Sequence, residues 1–264
     1  MNFKKYTTWG LAINLLLITS TSVAQTYKSS SWSTNFYLGG SNLLGDLGGS
    51  RFIGNRGVFD YNIRANRMAL GTGLTMNTGA FSVGLNVLGT RLVSNDAYSR
   101  QNFQVARNLN VRTNLVEVSI LGEIRPFSRS AGFNRFYVYS GIGGIYFKPM
   151  SKLNDEWYDL RQVGTEGQYL ENGPGPYSEI DIVIPYGIGY KFRLAKSTSL
   201  LLDLGFRKTF TDYLDDVSTV YADPAQLNAA QPNIPVSQLA DKSEVPNAIG
   251  YERGNPKNDD QYFI

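Results

Sequence analysis

The feature that most constrains this chain is a two-residue alternation in which ionic side chains keep to one parity. In "KSTSLLLDLGFRKTFTDYLDD" (196–216), Leu200, Leu202, Leu204 and Phe206 fall on one parity, and Leu201, Asp203, Gly205 and Arg207 on the other. Successive side chains of a strand point to opposite faces, so one side of this strand meets hydrocarbon and the other something polar. "MALGTGLTM" (68–76), "FSVGLNVLGTR" (81–91), "NLVEVSILGEIR" (114–125) and "IDIVIPYGIGYKFR" (180–193) repeat the pattern. Their apolar columns are Met68, Leu70, Leu74, Met76; Phe81, Val83, Leu85, Val87; Val116, Val118, Ile120, Ile124; and the even positions from Ile180 to Phe192. "TNFYLGGSNLL" (34–44) follows it with Tyr37 blurring the parity, and "RFYVYSGIGGIYF" (135–147) reads as a strand without clean parity. This period is the strand signature.

These are seven strands, and an eighth must begin near Asn258 in "NDDQYFI". About seven residues remain there, against about 9–11 for a tilted membrane strand, so the last strand is either short or cut off. The connections alternate long and short: 45–67, 77–80, 92–113, 126–134, 148–179, 195–198 and 211–257. Short turns at one end and long loops at the other mark an outer-membrane barrel. After the N-terminal region no stretch approaches 18 consecutive apolar residues, so a membrane position requires a closed barrel.

A soluble barrel or sandwich would turn the apolar face inward. Its exterior would then carry many Lys and Glu, whereas the polar face here is mainly Gly, Ser, Thr and Asn. An Arg facing lipid at mid-depth costs about 2–4 kcal/mol, and Glu117, Glu123, Asp181, Lys191, Asp203 and Arg207 all avoid the apolar parity. The expected fold is therefore all-β: an eight-stranded antiparallel up-and-down transmembrane barrel with long outer loops and short periplasmic turns. Those six residues would form a charge network in the lumen, Asp203 and Arg207 pairing with Glu117, Glu123 and Lys191. A gated ion path is the rival reading, and eight strands leave little room for water. Tyr137, Tyr139, Tyr146, Tyr186, Tyr190 and Phe210 are candidates for aromatic girdles.

Cys and His are both absent from the 264 residues. That removes disulfides, thiol nucleophiles, imidazole ligands and the Ser-His-Asp triad, so no catalytic role and no cofactor are expected. The net charge of +3 gathers in no basic tract, which leaves nucleic-acid binding without support. Lys4 and Lys5, the apolar run Leu11 to Ile18, and the small residues Ser22-Val23-Ala24 form a secretory signal over residues 1–24. Residues 25–264 would be the barrel, carried to the bacterial outer membrane, with lipid as its first partner.

The long links hold the remaining candidates. The glycines of "GSNLLGDLGGSRF" lack the Gly-Lys-Ser/Thr ending of a phosphate loop. Asp212, Asp215 and Asp216 form a candidate calcium cluster, set against a solvated strand end. Trp157, Tyr158 and Arg161 in "NDEWYDLRQVGTEGQ" are candidate partner contacts. A short helix is expected from Pro224 to Ala230, and "YERGNPKNDD" would fold back over the mouth.

Five stretches, "FYLGGSNLLGDLGG", "VRTNLVEVSILGEIRPF", "RFYVYSGIGGIYFKP", "IPYGIGYKF" and "LDLGFRKTFTDYLDDVSTVY", resemble the PorG-like outer-membrane β-barrel proteins of the type IX secretion system. The similarity runs from about Asn35 to Tyr262. It implies an eight-stranded barrel, a non-catalytic structural role in protein secretion and contact with periplasmic ring components. It brings no catalytic motif. The C-terminus departs from it, since a full final strand ending in an aromatic is expected there. A small barrel for anchoring, adhesion or ligand binding is the alternative.

Overall fold

The structure is a computed structural model that describes residues 30–47, 63–99, 101–127, 135–256 and 260–264. The expected signal segment lies outside the described residues. From Ser31 to Ile264 the chain is one compact unit.

Nine strands are described: β1 (Ser31–Leu44), β2 (Arg67–Thr78), β3 (Phe81–Asn95), β4 (Asn110–Ile124), β5 (Phe136–Leu153), β6 (Glu156–Asp159), β7 (Ile180–Arg193), β8 (Ser199–Thr209) and β9 (Gln261–Phe263). All pairings are antiparallel. The order β4-β3-β2-β1-β9-β8-β7-β5, with β5 returning to β4, closes an eight-stranded barrel. β6 stands outside the ring and pairs only with Met150–Leu153 of β5.

Local chemistry sets the short-turn end. Thr78 pairs with Phe81 across a two-residue turn in which Gly79 has φ of 58°, a conformation glycine enters without steric cost. At the next described turn, Leu194 and Ala195 both donate backbone N–H bonds to the Thr198 carbonyl. Closure falls to β9, whose three residues pair with Asn42–Leu44 of β1 and Phe206–Lys208 of β8. Reciprocal 2.9 Å backbone bonds between Gly205 and Ile264 extend that seam by one residue. The eighth strand is thus present, short, and at the long-loop end.

The barrel wears its apolar side outward. The four clean apolar columns read from the sequence are exposed along their length, from Met68 to Met76, Phe81 to Val87, Val116 to Ile124 and Ile180 to Ile188. Leu200, Leu202 and Leu204 join them. Among the girdle candidates, Tyr146, Tyr186 and Phe210 are exposed. Tyr137 is buried and Tyr139 points to the same inner face, which corrects the assignment of both.

The lumen differs from expectation in its long-loop half. Leu43, Leu92, Leu115, Ile145, Phe147, Val183 and Tyr262 form a buried apolar cluster there, sealed by Leu214 from the loop after β8. This explains the unclean parity of β5: Ile145 and Phe147 face this plug while Ile142 and Tyr146 face outward. An eight-stranded ring is just wide enough for side chains to fill it.

Several strands also outrun the lengths read from sequence. β3 and β4 continue through Asn95 and from Asn110, leaving a link that holds helix α1 (Asn102–Arg107). Helices α2 (Leu160–Val163), α3 (Pro224–Ala230) and α4 (Val236–Ala240) lie in the later loops, and short 3-10 turns occupy Ile63–Ala65 and Asp96–Tyr98. α3 has the bounds expected for it, with the Asp223 side chain accepting the Ala225 N–H and Pro224 in the first turn. The loops form their own layer around two clusters. Leu47, Leu109, Val111, Leu160 and Val217 make one, and Val163, Leu227, Val236, Leu239 and Ala240 the other.

Candidate functional site

Two polar arrangements stand out, one inside the barrel wall and one in the loop layer. Inside, β4 and β8 bring Glu117 and Arg207 to 3.2 Å, both nearly without solvent contact. The Tyr262 hydroxyl donates to Glu117 Oε2 at 2.8 Å and the Ser119 hydroxyl to Oε1 at 2.9 Å. Each carboxylate oxygen is therefore satisfied, which a buried charge requires.

The other four residues expected in this network are placed differently. Glu123 pairs with Arg125 at 3.4 Å near the short-turn end. Asp203 accepts the Tyr137 hydroxyl rather than a cation. Asp181 accepts the Phe210 backbone N–H at 2.7 Å and so secures the β7–β8 edge. Lys191 has no carboxylate within ion-pair distance among the described residues. The charges share the inner parity but are spread along the barrel's height, so one six-membered lattice does not form.

In the loop layer, Arg253 is fully buried. It bonds to Glu166 at 2.9 Å, lies 3.6 Å from Asp216 Oδ2, and donates to the Ala240 carbonyl at 3.1 Å. Glu166 also accepts the N–H groups of Ser218 and Thr219. Arg107 holds Asp96 through two nitrogens at 2.7 and 2.8 Å, and reaches the Arg253 carbonyl at 2.7 Å and the Asp46 carbonyl at 3.0 Å. Four connections are tied together through two arginines. A forked guanidinium suits this role because its donors are fixed in a plane.

Asp212, Asp215 and Asp216 are buried here, which corrects the solvated-end alternative. Asp216 accepts the hydroxyls of Thr165 and Tyr177, both at 2.6 Å, in addition to facing Arg253. Asp215 turns instead toward Asp46 and Asp260, accepting the Leu47 and Val217 N–H groups at 3.1 Å. A Cβ at Gly45 would lie 2.5 Å from Asp215 Oδ2 and 2.5 Å from Asp260 Oδ1, so both oxygens look onto that glycine. Burial pushes Asp46 up to about 6, and burial with Asp215 nearby pushes Asp212 up to about 9. Asp215 and Asp260 are raised well above the ordinary range, by burial first. Ser218 offers Asp212 weak relief, and neither of its oxygens completes a hydrogen bond. Among the described residues no three acidic groups are arranged to hold a metal ion. The calcium assignment is therefore corrected: its three aspartates do not converge, Asp216 sitting with Arg253 while Asp212 and Asp215 belong to a buried carboxyl cluster with Asp46 and Asp260.

Of the expected partner contacts, Trp157 is exposed as foreseen, and all three residues make contacts within the chain. Trp157 lies under the Arg112 guanidinium, 3.6 Å from ring centroid to carbon. The Tyr158 hydroxyl donates to Glu156 at 2.7 Å, and Arg161 Nε donates to the Tyr177 carbonyl at 2.7 Å. Sequence reasoning missed Asp46, Asp96, Arg107, Glu166, Arg253 and Asp260. The local traces are glycine beside aspartate at 45–46 and the Asp96–Arg107 pair within one link; the other partners come from different links.

Fold and site together define a closed eight-stranded antiparallel β-barrel with an apolar exterior, a plugged interior and a packed loop layer. The chain belongs to the DUF6089 family, described as a domain of unknown function, whose model matches residues 12–229. No curated protein and no solved structure matches it.

Proposed function

We propose that this chain is a non-catalytic integral barrel of the bacterial outer membrane that serves as a structural component of a protein-secretion apparatus of the type IX kind. The observation that carries the membrane position is the exterior itself. Ile120 is 55% exposed, Leu85 52% and Leu202 56%, while Glu117 and Arg207 on the opposite faces are buried. Leaving such a belt in water would cost roughly 25 cal/mol per Å² of apolar surface, and lipid removes that cost. With the long loops outside, the short turns face the periplasm, the side on which ring components would meet the barrel.

The apolar plug and the Glu117–Arg207 pair favour a scaffold over a conduit. The secretion assignment rests on the five PorG-like stretches, and the family match carries no function of its own. Cell fractionation with heat-modifiable gel mobility tests the membrane barrel. The expected result is an outer-membrane protein whose unboiled form migrates faster. A monodisperse protein in detergent-free buffer would refute the proposal. Deleting the gene and assaying exported proteins separates a secretion component from a small barrel that anchors, adheres or binds a ligand: lost export supports the first, intact export the second.

A further inference from the structure

On three neighbouring strands the outward column changes from apolar to cationic at one register row. Gly89, Val116 and Tyr146 are paired side by side on β3, β4 and β5, and the next outward row is Arg91, Asn114 and Lys148. The row after that pairs Val93, Arg112 and Met150. Arg91 lies ten residues along β3 from Phe81, about 33 Å of strand at 3.3 Å per residue. At the usual tilt that is about 25 Å of height, the depth of a barrel's apolar band. The basic row therefore sits where hydrocarbon gives way to headgroups.

A hollow of about 500 Å³ opens at this level, lined by Arg67, Arg91, Arg112, Lys152, Asp155 and Trp157 among others. Lys152 is engaged by Asp155 at 2.5 Å, and Lys148 beside the hollow by Asp159 at 2.9 Å. The three arginines have no carboxylate partner among the described residues. Arg67 donates to the Asn66 and Arg64 carbonyls at 2.7 and 3.0 Å, and Arg91 to Asn114 Oδ1 at 3.0 Å. Arg112 is held over Trp157, its Nε buried without a hydrogen-bond acceptor, and Arg91 is near enough for the two charges to repel. Guanidiniums without a carboxylate partner, held in one hollow, suit an anion with several acceptor oxygens. Arginine's planar fork matches phosphate.

We propose that this hollow binds the phosphate-bearing headgroup of an outer-leaflet lipid, with Arg91 and Arg112 as the phosphate ligands. The inference rests on the membrane reading given above. The acyl chains of such a lipid would run down the Val87, Val116 and Ile142 columns directly beneath, which a free anion has no use for. Basic pockets at a bilayer surface select anionic headgroups in this way.

The test uses the full chain in detergent micelles, titrated with phosphatidic acid and read by native mass spectrometry and by the fluorescence of Trp157, with a Trp157→Phe chain as the reference. Diacylglycerol and inorganic phosphate are the parallel probes. Phosphatidic acid should bind at least tenfold more tightly than diacylglycerol, weaken as salt rises, and lose at least tenfold in affinity in the Arg91→Gln/Arg112→Gln chain. Arg91→Lys/Arg112→Lys should keep part of the salt-dependent binding. Equal binding of diacylglycerol, unchanged affinity in the glutamine chain, or equal occupancy by inorganic phosphate would each overturn the proposal. The glutamine chain must retain heat-modifiable mobility, which separates loss of the site from loss of the fold. A chain that needs no detergent would sink the membrane reading and the site together, whereas a detergent-dependent barrel indifferent to phosphate sinks the site alone.

Discussion

Asp212 shows how far burial moves a single carboxyl. It is 8% exposed, near Asp46, Asp215, Asp260 and Glu166, and its pKa rises from 3.8 to about 9. The folded chain thus keeps a proton that the unfolded chain releases above about pH 4. Stability from this group is full below that value and is lost as pH climbs toward 9. Asp212→Asn removes the need for the proton while keeping the shape. The variant should match the parent near pH 4 and exceed it at pH 8 by about 1–2 kcal/mol, a figure reduced for the solvent that still reaches the group. Urea midpoints in micelles at the two pH values check this, and equal shifts at both would refute it. Burial raises the neighbouring Asp216 as well, but only to about 6, because Arg253, Thr165 and Tyr177 offset part of it.

At the scale of elements, the glycines of β7 and β8 are the floor on which tyrosines of β5 lie. A Cβ at Gly189 would come within 2.2 Å of Tyr137 Cζ, and one at Gly187 within 2.7 Å of Tyr139 Cζ. The alternation of small and large is therefore one packing solution: bulk from β5 fills the space that β7 leaves. Gly189→Ala should cost about 1–3 kcal/mol as an overpacked position, read as a lowered unfolding midpoint in micelles. Gly89→Ala, which meets nothing within 4 Å, is the control and should cost far less. β9 shows the same economy, since three residues complete the ring because Tyr262 enters the plug and reaches Glu117.

At the scale of the whole barrel unit, the described residues form two layers with different binding forces, a hydrogen-bonded cylinder below and a set of loops above held by apolar clusters and buried arginines. Arg253 joins Glu166, Asp216 and the Ala240 carbonyl, so its loss leaves two buried carboxylates without their cation. Breaking such a pair costs about 3–5 kcal/mol. Arg253→Ala should open the 211–256 region to limited proteolysis while the barrel keeps its heat-modifiable mobility. Simultaneous unfolding of both layers would show that they are one cooperative unit instead.

What the sequence determined by itself is the wall: strand existence, facing and alternating loop lengths. These are local, because a two-residue period is written along each strand and turn residues such as Gly79 act within a few positions. The charge parity was equally legible: it put Glu117 and Arg207 on the inner face among the expected partners, and they do pair, but it could not say that the other four charges would stay out of that pair. Only the tertiary structure decided the plug, the division of the 212–216 aspartates and the arginine-tied loop layer. Asp46, Asp216 and Arg253 meet across many residues of chain, and such meetings depend on which loops pack together. A period cannot encode that, since it speaks of the neighbours within one strand and not of the distant groups that loop folding brings to them.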